Sequence, residues 1–86
     1  MEVAYKPSFL RQFKKLPKDL QSEAKEKITL FKEVSNHESL RVHALKGELR
    51  GYHSFSVNYK YRIVFEWERK GQVAVLMSIG DHSVYE

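Results

Sequence analysis

Eighty-six residues, 42% hydrophobic and 13% aromatic with only 4 Gly and 2 Pro, point to one globular domain spanning 1–86 and exclude a disordered chain or two separate cores. The absence of cysteine rules out disulfides and thiolate metal sites, so helix-on-sheet packing, with or without a partner, has to stabilise the core. Fifteen Lys and Arg against 11 Asp and Glu leave a net charge of +4, which favours polyanionic or acidic partners without choosing between them.

The opening MEVAYKPSF lacks a basic region followed by an apolar run, and no stretch approaches about 18 consecutive apolar residues, so neither secretion nor membrane spanning is expected. A reducing cytoplasm suits a chain without cysteine. Val3, Ala4 and Tyr5 read as a short strand, and Pro7 fits the first turn of a helix, where its missing N–H would be unpaired anyway. That helix is predicted over 7–15, with Phe9, Phe13 and Leu16 on one face and Arg11, Gln12, Lys14 and Lys15 on the other.

Pro17 interrupts the pattern and can begin a second helix, which makes the two a hairpin. Leu20, Ala24, Ile28 and Phe31 form its apolar stripe. Lys18, Glu23, Lys25, Glu26, Lys27 and Lys32 form a mixed charged face that reads as solvated. The segment Ser35-Asn36-His37-Glu38-Ser39 ends the helix.

After Gly47 and Gly51 the apolar period changes to two. Phe55 and Val57, then Tyr61, Ile63, Phe65 and Trp67, then Val73, Val75, Met77 and Ile79 alternate with other residues, which predicts three strands. Their connections, Asn58-Tyr59-Lys60 and Arg69-Lys70-Gly71, are short enough for an antiparallel meander. The expected fold class is therefore α+β, with a short N-terminal strand and a two-helix hairpin packed on an antiparallel sheet. Alternation sends Phe55, Ile63, Phe65, Val75 and Met77 toward the helices. Ser54, Ser56, Arg62, Val64, Leu76 and Ser78 are sent to an open side, where a mid-strand arginine adds little to packing and can aim its fork at phosphate.

From Val42 to Tyr85, three features occur in order. They are HALKGELRGYHSF with its Leu-Lys-Gly and following Gly-Tyr, the YKYRIVFEWE strand, and VLMSIGDHSVY ending in Ile-Gly-x-His and a tyrosine. With the N-terminal hairpin they resemble the RelE/ParE superfamily of toxins, and within it the RelE-like, YafQ-like and YoeB-like mRNA interferases. The resemblance implies a microbial RNase-like fold and the toxin of a type II toxin–antitoxin system. It implies a heterocomplex with a cognate antitoxin as well as action on mRNA in the ribosome, with neither metal nor cofactor. The RNA's own 2′-hydroxyl attacks the adjacent phosphate in such enzymes, which calls for a base, cationic donors and an acid.

Arg62, already singled out by alternation, matches the family's arginine against the scissile phosphate. His82 matches the general acid beyond the last strand, and a histidine suits that task because it exchanges a proton near neutrality. His43 stands where YafQ-like enzymes carry a histidine and is the candidate general base. Tyr85 resembles the C-terminal aromatic that stacks on a base or helps position the phosphate. Arg41, Lys46, Arg50 and Lys60 are candidate contacts to the RNA backbone. Ser54 and Ser56 replace the lysines of RelE on the first meander strand, which excludes a lysine base there and leaves two hydroxyls to donate hydrogen bonds. Arg62, His82, His43 and the four basic residues each have a plain reading as solvated surface, and Tyr85 has one as an anchor of the C-terminal end against the sheet. Two alternatives stay open at the level of function, a ParE-like inhibitor of DNA gyrase and an inactive relative that only binds an antitoxin. His37, His43, His53 and His82 show no tight metal-ligand spacing, so no metal site is expected.

Overall fold

In the computed structural model, which describes residues 1–81, the chain runs β1 (Glu2–Tyr5), α1 (Pro7–Lys14), α2 (Lys18–Phe31), β2 (His43–Ala44), β3 (His53–Ser56), β4 (Arg62–Glu68) and β5 (Val73–Gly80). Pro7 opens α1 as expected, and the helix stops one residue earlier than predicted. The side-chain amide of Gln21 donates to the carbonyl oxygen of Leu16 at 2.9 Å and closes the corner between the helices. Pro17 caps α2 from outside rather than beginning it, and Asp19 lies in the first turn, where a carboxylate suits the positive end of the helix. The second helix ends at Phe31, ahead of the segment expected to end it, and a short 3-10 turn at Val34–Asn36 follows.

The sheet has five strands in the order β1-β5-β4-β3-β2. Strands β3, β4 and β5 form the predicted antiparallel meander. Two neighbours extend it beyond expectation: β1 lies parallel to β5, making the sheet mixed, and β2 adds an antiparallel edge beside β3. The ladder between β1 and β5 ends at Tyr5, and α1 takes over the next groups of the β5 backbone. There the Ser8 hydroxyl donates to the carbonyl oxygen of Met77 at 2.7 Å, and the N–H of Ile79 donates to the Gln12 side chain at 2.9 Å. Helix side chains thus satisfy polar groups that a neighbouring strand would otherwise pair.

One register shift corrects the predicted faces of β5. Val64 pairs with Ser78 and Phe65 with Leu76, so Met77 is an extra residue opposite no partner. Such a bulge reverses the parity of every residue beyond it. Leu76, expected on the open side, is fully buried in the core with Ala74 and Ile79, whereas Val75 and Met77 are absent from that core cluster. The core is filled by Phe9, Ala24, Ile28 and Phe31 from the helices against Phe55, Ile63, Phe65, Ala74, Leu76 and Ile79 from the sheet. Phe31 sits at its centre, stacked on Phe55 at 4.1 Å between ring centroids and edge-on to Phe65 at 4.9 Å.

Candidate active site

Directly opposed residues of antiparallel strands share a face, so the register fixes which side chains lie together on the side away from the helices. His43 pairs with Ser54, Ser54 with Val64 and Val64 with Ser78, which makes one row across four strands. The next row runs Ser56, Arg62 and Gly80. His43 and Arg62 therefore occupy one face, with Cα atoms about 12 Å apart by strand spacing and rise.

That face is less open than alternation predicted. Ser54, Val64 and Val75 on it are all buried, and Ser54 is 0% exposed. The Ser54 hydroxyl, a candidate RNA contact, is thus closed to solvent. Ser56, one pleat further along, is half-buried beside Arg62 at the margin of the sheet.

At this margin Arg41, Ser56, Asn58, Tyr59 and Arg62 line a cleft of about 290 Å³. The Nη1 of Arg62 donates to the carbonyl oxygens of Asn58 at 2.8 Å, Tyr59 at 3.2 Å and Tyr61 at 3.2 Å. The β3–β4 turn thereby holds one corner of the guanidinium and sets the direction of the rest. Arg41 reaches the same cleft from the segment before β2, where its backbone adopts φ 58°, a left-handed conformation that few side-chain-bearing residues occupy. Two arginines so placed make a site of positive charge shaped for an oxyanion.

His43 is tied to the same segment. Its Nδ1 lies 2.7 Å from the carbonyl oxygen of Arg41. A carbonyl oxygen only accepts, so Nδ1 carries the proton, and in the neutral ring Nε2 is then the proton acceptor. An exposed imidazole in this tautomer is equipped to remove a proton from a ligand on the sheet face.

The other described histidines are partly buried and pack against core aromatics. His37 stacks on Phe31 at 4.8 Å, and its Nε2 lies 2.8 Å from the Phe31 carbonyl oxygen. His53 points to the helix side, 5.6 Å from Phe65 and 6.2 Å from Trp67 between ring centroids. Its Nδ1 is buried without a hydrogen-bond partner. Burial, and secondarily the nearby His43, lower its pKa below the ordinary histidine value and so favour the neutral ring.

The structure thus brings Arg41, Ser56 and Arg62 together and sets His43 on the same face. Lys46 and Arg50 are exposed around the short turn Gly47–Leu49 and do not line the cleft. Lys60 is exposed on the β3–β4 turn, its Nζ 5.9 Å from the centre of the Tyr61 ring. His82 and Tyr85, expected to complete the site, lie outside the described residues. Tyr59, which the sequence marks only as part of a short connection, also lines the cleft; an aromatic between Asn and Lys in a tight connection is the signal that could have found it. Among the described residues no cluster of three His, Asp or Glu is arranged to hold a metal ion.

No family model and no curated protein matches the chain. Solved structures match it over nearly its whole length. YafQ from E. coli strain BL21(DE3) superposes with a TM-score of 0.73 at 16% identity, covering 96% of this chain and 94% of that one. A chain of the toxin–antitoxin complex RelBE2 from Mycobacterium tuberculosis gives 0.70 at 20% identity, over 94% and 96%. A chain of the YoeB–YefM complex from Staphylococcus aureus gives 0.72 at 19% identity, over 95% and 97%. The fold is that of the RelE-, YafQ- and YoeB-like toxins, with an N-terminal strand, two helices and a mixed five-stranded sheet.

Proposed function

We propose that this chain is a single-domain toxin of a type II toxin–antitoxin pair and a metal-independent endoribonuclease that cuts mRNA on the ribosome. The observation that carries the reading is the cleft formed by Arg41, Ser56 and Arg62, with the His43 ring in its proton-accepting tautomer on the same sheet face. The fold shared with YafQ and with chains of the RelBE2 and YoeB–YefM complexes supports it.

The reaction needs no external nucleophile. A 2′-hydroxyl of the RNA attacks the adjacent phosphorus while its proton passes to Nε2 of His43. The P–O5′ bond breaks as His82 supplies a proton to the leaving oxygen, leaving a 2′,3′-cyclic phosphate and a 5′-hydroxyl. Arg62 and Arg41 offset the charge that builds on the phosphoryl oxygens, where cationic donors contribute most. Ser56 donates a hydrogen bond at the edge of the same space, and Tyr85 steadies the nucleotide. Lys46, Lys60 and Arg50 supply diffuse attraction for the RNA backbone. A cognate antitoxin is the natural partner of such a protein, as in the two complexes named above.

Incubation of the purified chain with programmed ribosomes, followed by mapping of the mRNA ends, tests the reading. Cutting that disappears in Arg62→Ala and His82→Ala is the expected result. Uncut mRNA together with inhibited DNA supercoiling would instead identify a gyrase poison on this fold.

A further inference from the structure

We propose that Tyr59 is a stacking platform for a nucleobase, placed at the mouth of the Arg41–Arg62 cleft so that a base of single-stranded RNA lies on its ring while the neighbouring phosphate meets the guanidinium. The proposal rests on the endoribonuclease reading above. It adds a base contact from the β3–β4 turn to the residues named there.

Tyr59 is 97% exposed, far more than Leu10 at 45% or Tyr5 at 43%. A single exposed aromatic is ordinary in a soluble protein, and exposure alone would carry nothing. Three features of the turn set this one apart. First, Tyr59 lines the cleft that holds both arginines. Second, its own carbonyl oxygen accepts a hydrogen bond from Arg62 at 3.2 Å, so the residue bearing the ring also orients the cation.

Third, the turn is held firmly. The Asn58 side-chain oxygen accepts from the N–H groups of Lys60 at 2.9 Å and Tyr61 at 2.8 Å. Its amide nitrogen donates to Glu23 on α2 at 2.7 Å, and the N–H of Val57 donates to the Tyr61 carbonyl at 3.0 Å. A backbone pinned from both sides presents the ring in a restricted set of directions, so little ordering cost remains when a base stacks on it. The ring itself packs against nothing that would require a tyrosine for stability, being almost wholly in water. Single-stranded RNA is read by such pairings of an aromatic face with an adjacent cationic phosphate contact, and Lys60 adds a further positive charge next in the chain.

The test uses the full chain on programmed ribosomes whose mRNA carries 2-aminopurine beside a 2′-deoxy, uncleavable position. Quenching of the 2-aminopurine fluorescence reports stacking, and the protein concentration at half-saturation reports affinity. Tyr59→Ala is expected to weaken binding roughly five- to hundredfold with loss of quenching. Tyr59→Phe and Tyr59→Trp should keep both, and the thermal midpoint of all three variants should match the parent.

Two results overturn the platform while sparing the nuclease reading: Tyr59→Ala that binds and quenches like the parent while Arg62→Ala weakens binding, or Tyr59→Ala that weakens only antitoxin binding. If neither the parent nor Arg62→Ala affects the fluorescence, the endoribonuclease reading itself fails, and the platform with it.

Discussion

Nδ1 of His43 donates to the carbonyl oxygen of Arg41 at 2.7 Å, and Arg41 stands at φ 58°, so one strained backbone position both turns a guanidinium into the cleft and fixes the imidazole tautomer beside it. The His43 ring and the Arg41 backbone are therefore coupled across two positions of the chain. A change in the local backbone at Arg41 would disturb both at once.

If His43 takes the proton of the attacking hydroxyl, His43→Ala should slow single-turnover cleavage on programmed ribosomes by about 10²–10⁴-fold. His43→Gln should do no better, because an amide does not accept a proton near neutrality. The exposed ring makes few packing contacts, so the urea midpoint should stay near that of the parent. Unchanged cleavage would remove His43 from the reaction.

Arg62 offers a planar fork, and three backbone carbonyls hold one corner of it. Arg62→Ala is expected to lose about 10²–10³-fold in cleavage rate. Arg62→Lys should recover only a small part, since a single ammonium cannot bond the turn and grip a phosphate in two directions. Full rescue by lysine would mean that bulk charge, rather than the fork, matters at this position.

His53 predicts how stability follows pH. Its folded-state pKa is lowered by burial first and by His43 second, while the unfolded chain titrates near 6.5. Below that pH the unfolded state takes up a proton that the folded state resists, so stability falls as pH drops through 6.5 toward the lower folded value, and changes no further on this account below it. His53→Phe removes the titration and the unpartnered Nδ1 while keeping a ring beside Phe65 and Trp67. Urea melts at pH 7 and pH 5 should show a smaller loss for the variant than for the parent. An equal loss in both would mean that other groups set the acid sensitivity.

Phe31 joins α2 to the sheet through Phe55, Phe65 and Trp67. Its truncation to Ala should cost about 3–5 kcal/mol, a large share of the ~5–15 kcal/mol that holds a typical domain. Denaturant unfolding monitored by Trp67 fluorescence, with the tryptophan 6.1 Å from the Phe31 ring, measures the effect directly. A loss below about 1 kcal/mol would show that the core closes over the gap.

The sequence by itself determined the elements whose information is local. Pro7 and Pro17 bracket the first helix, Ala24, Ile28 and Phe31 mark the buried stripe of the second, and strict alternation through Arg62, Ile63, Val64 and Phe65 puts the arginine opposite the helices. Tertiary structure alone decided what depends on a partner strand. The two-residue strand at His43–Ala44 carries no period of its own and exists because β3 pairs with it, and β1 finds β5 across most of the chain. Met77 bulges because Ser78 and Leu76 pair with adjacent residues of β4, and that one uncounted residue sent Leu76 into the core against the alternation. Arg41, Tyr59 and Arg62 meet in one cleft for the same reason: side-chain direction follows from spacing along a strand, but which strands and turns lie side by side is settled only when the whole sheet packs.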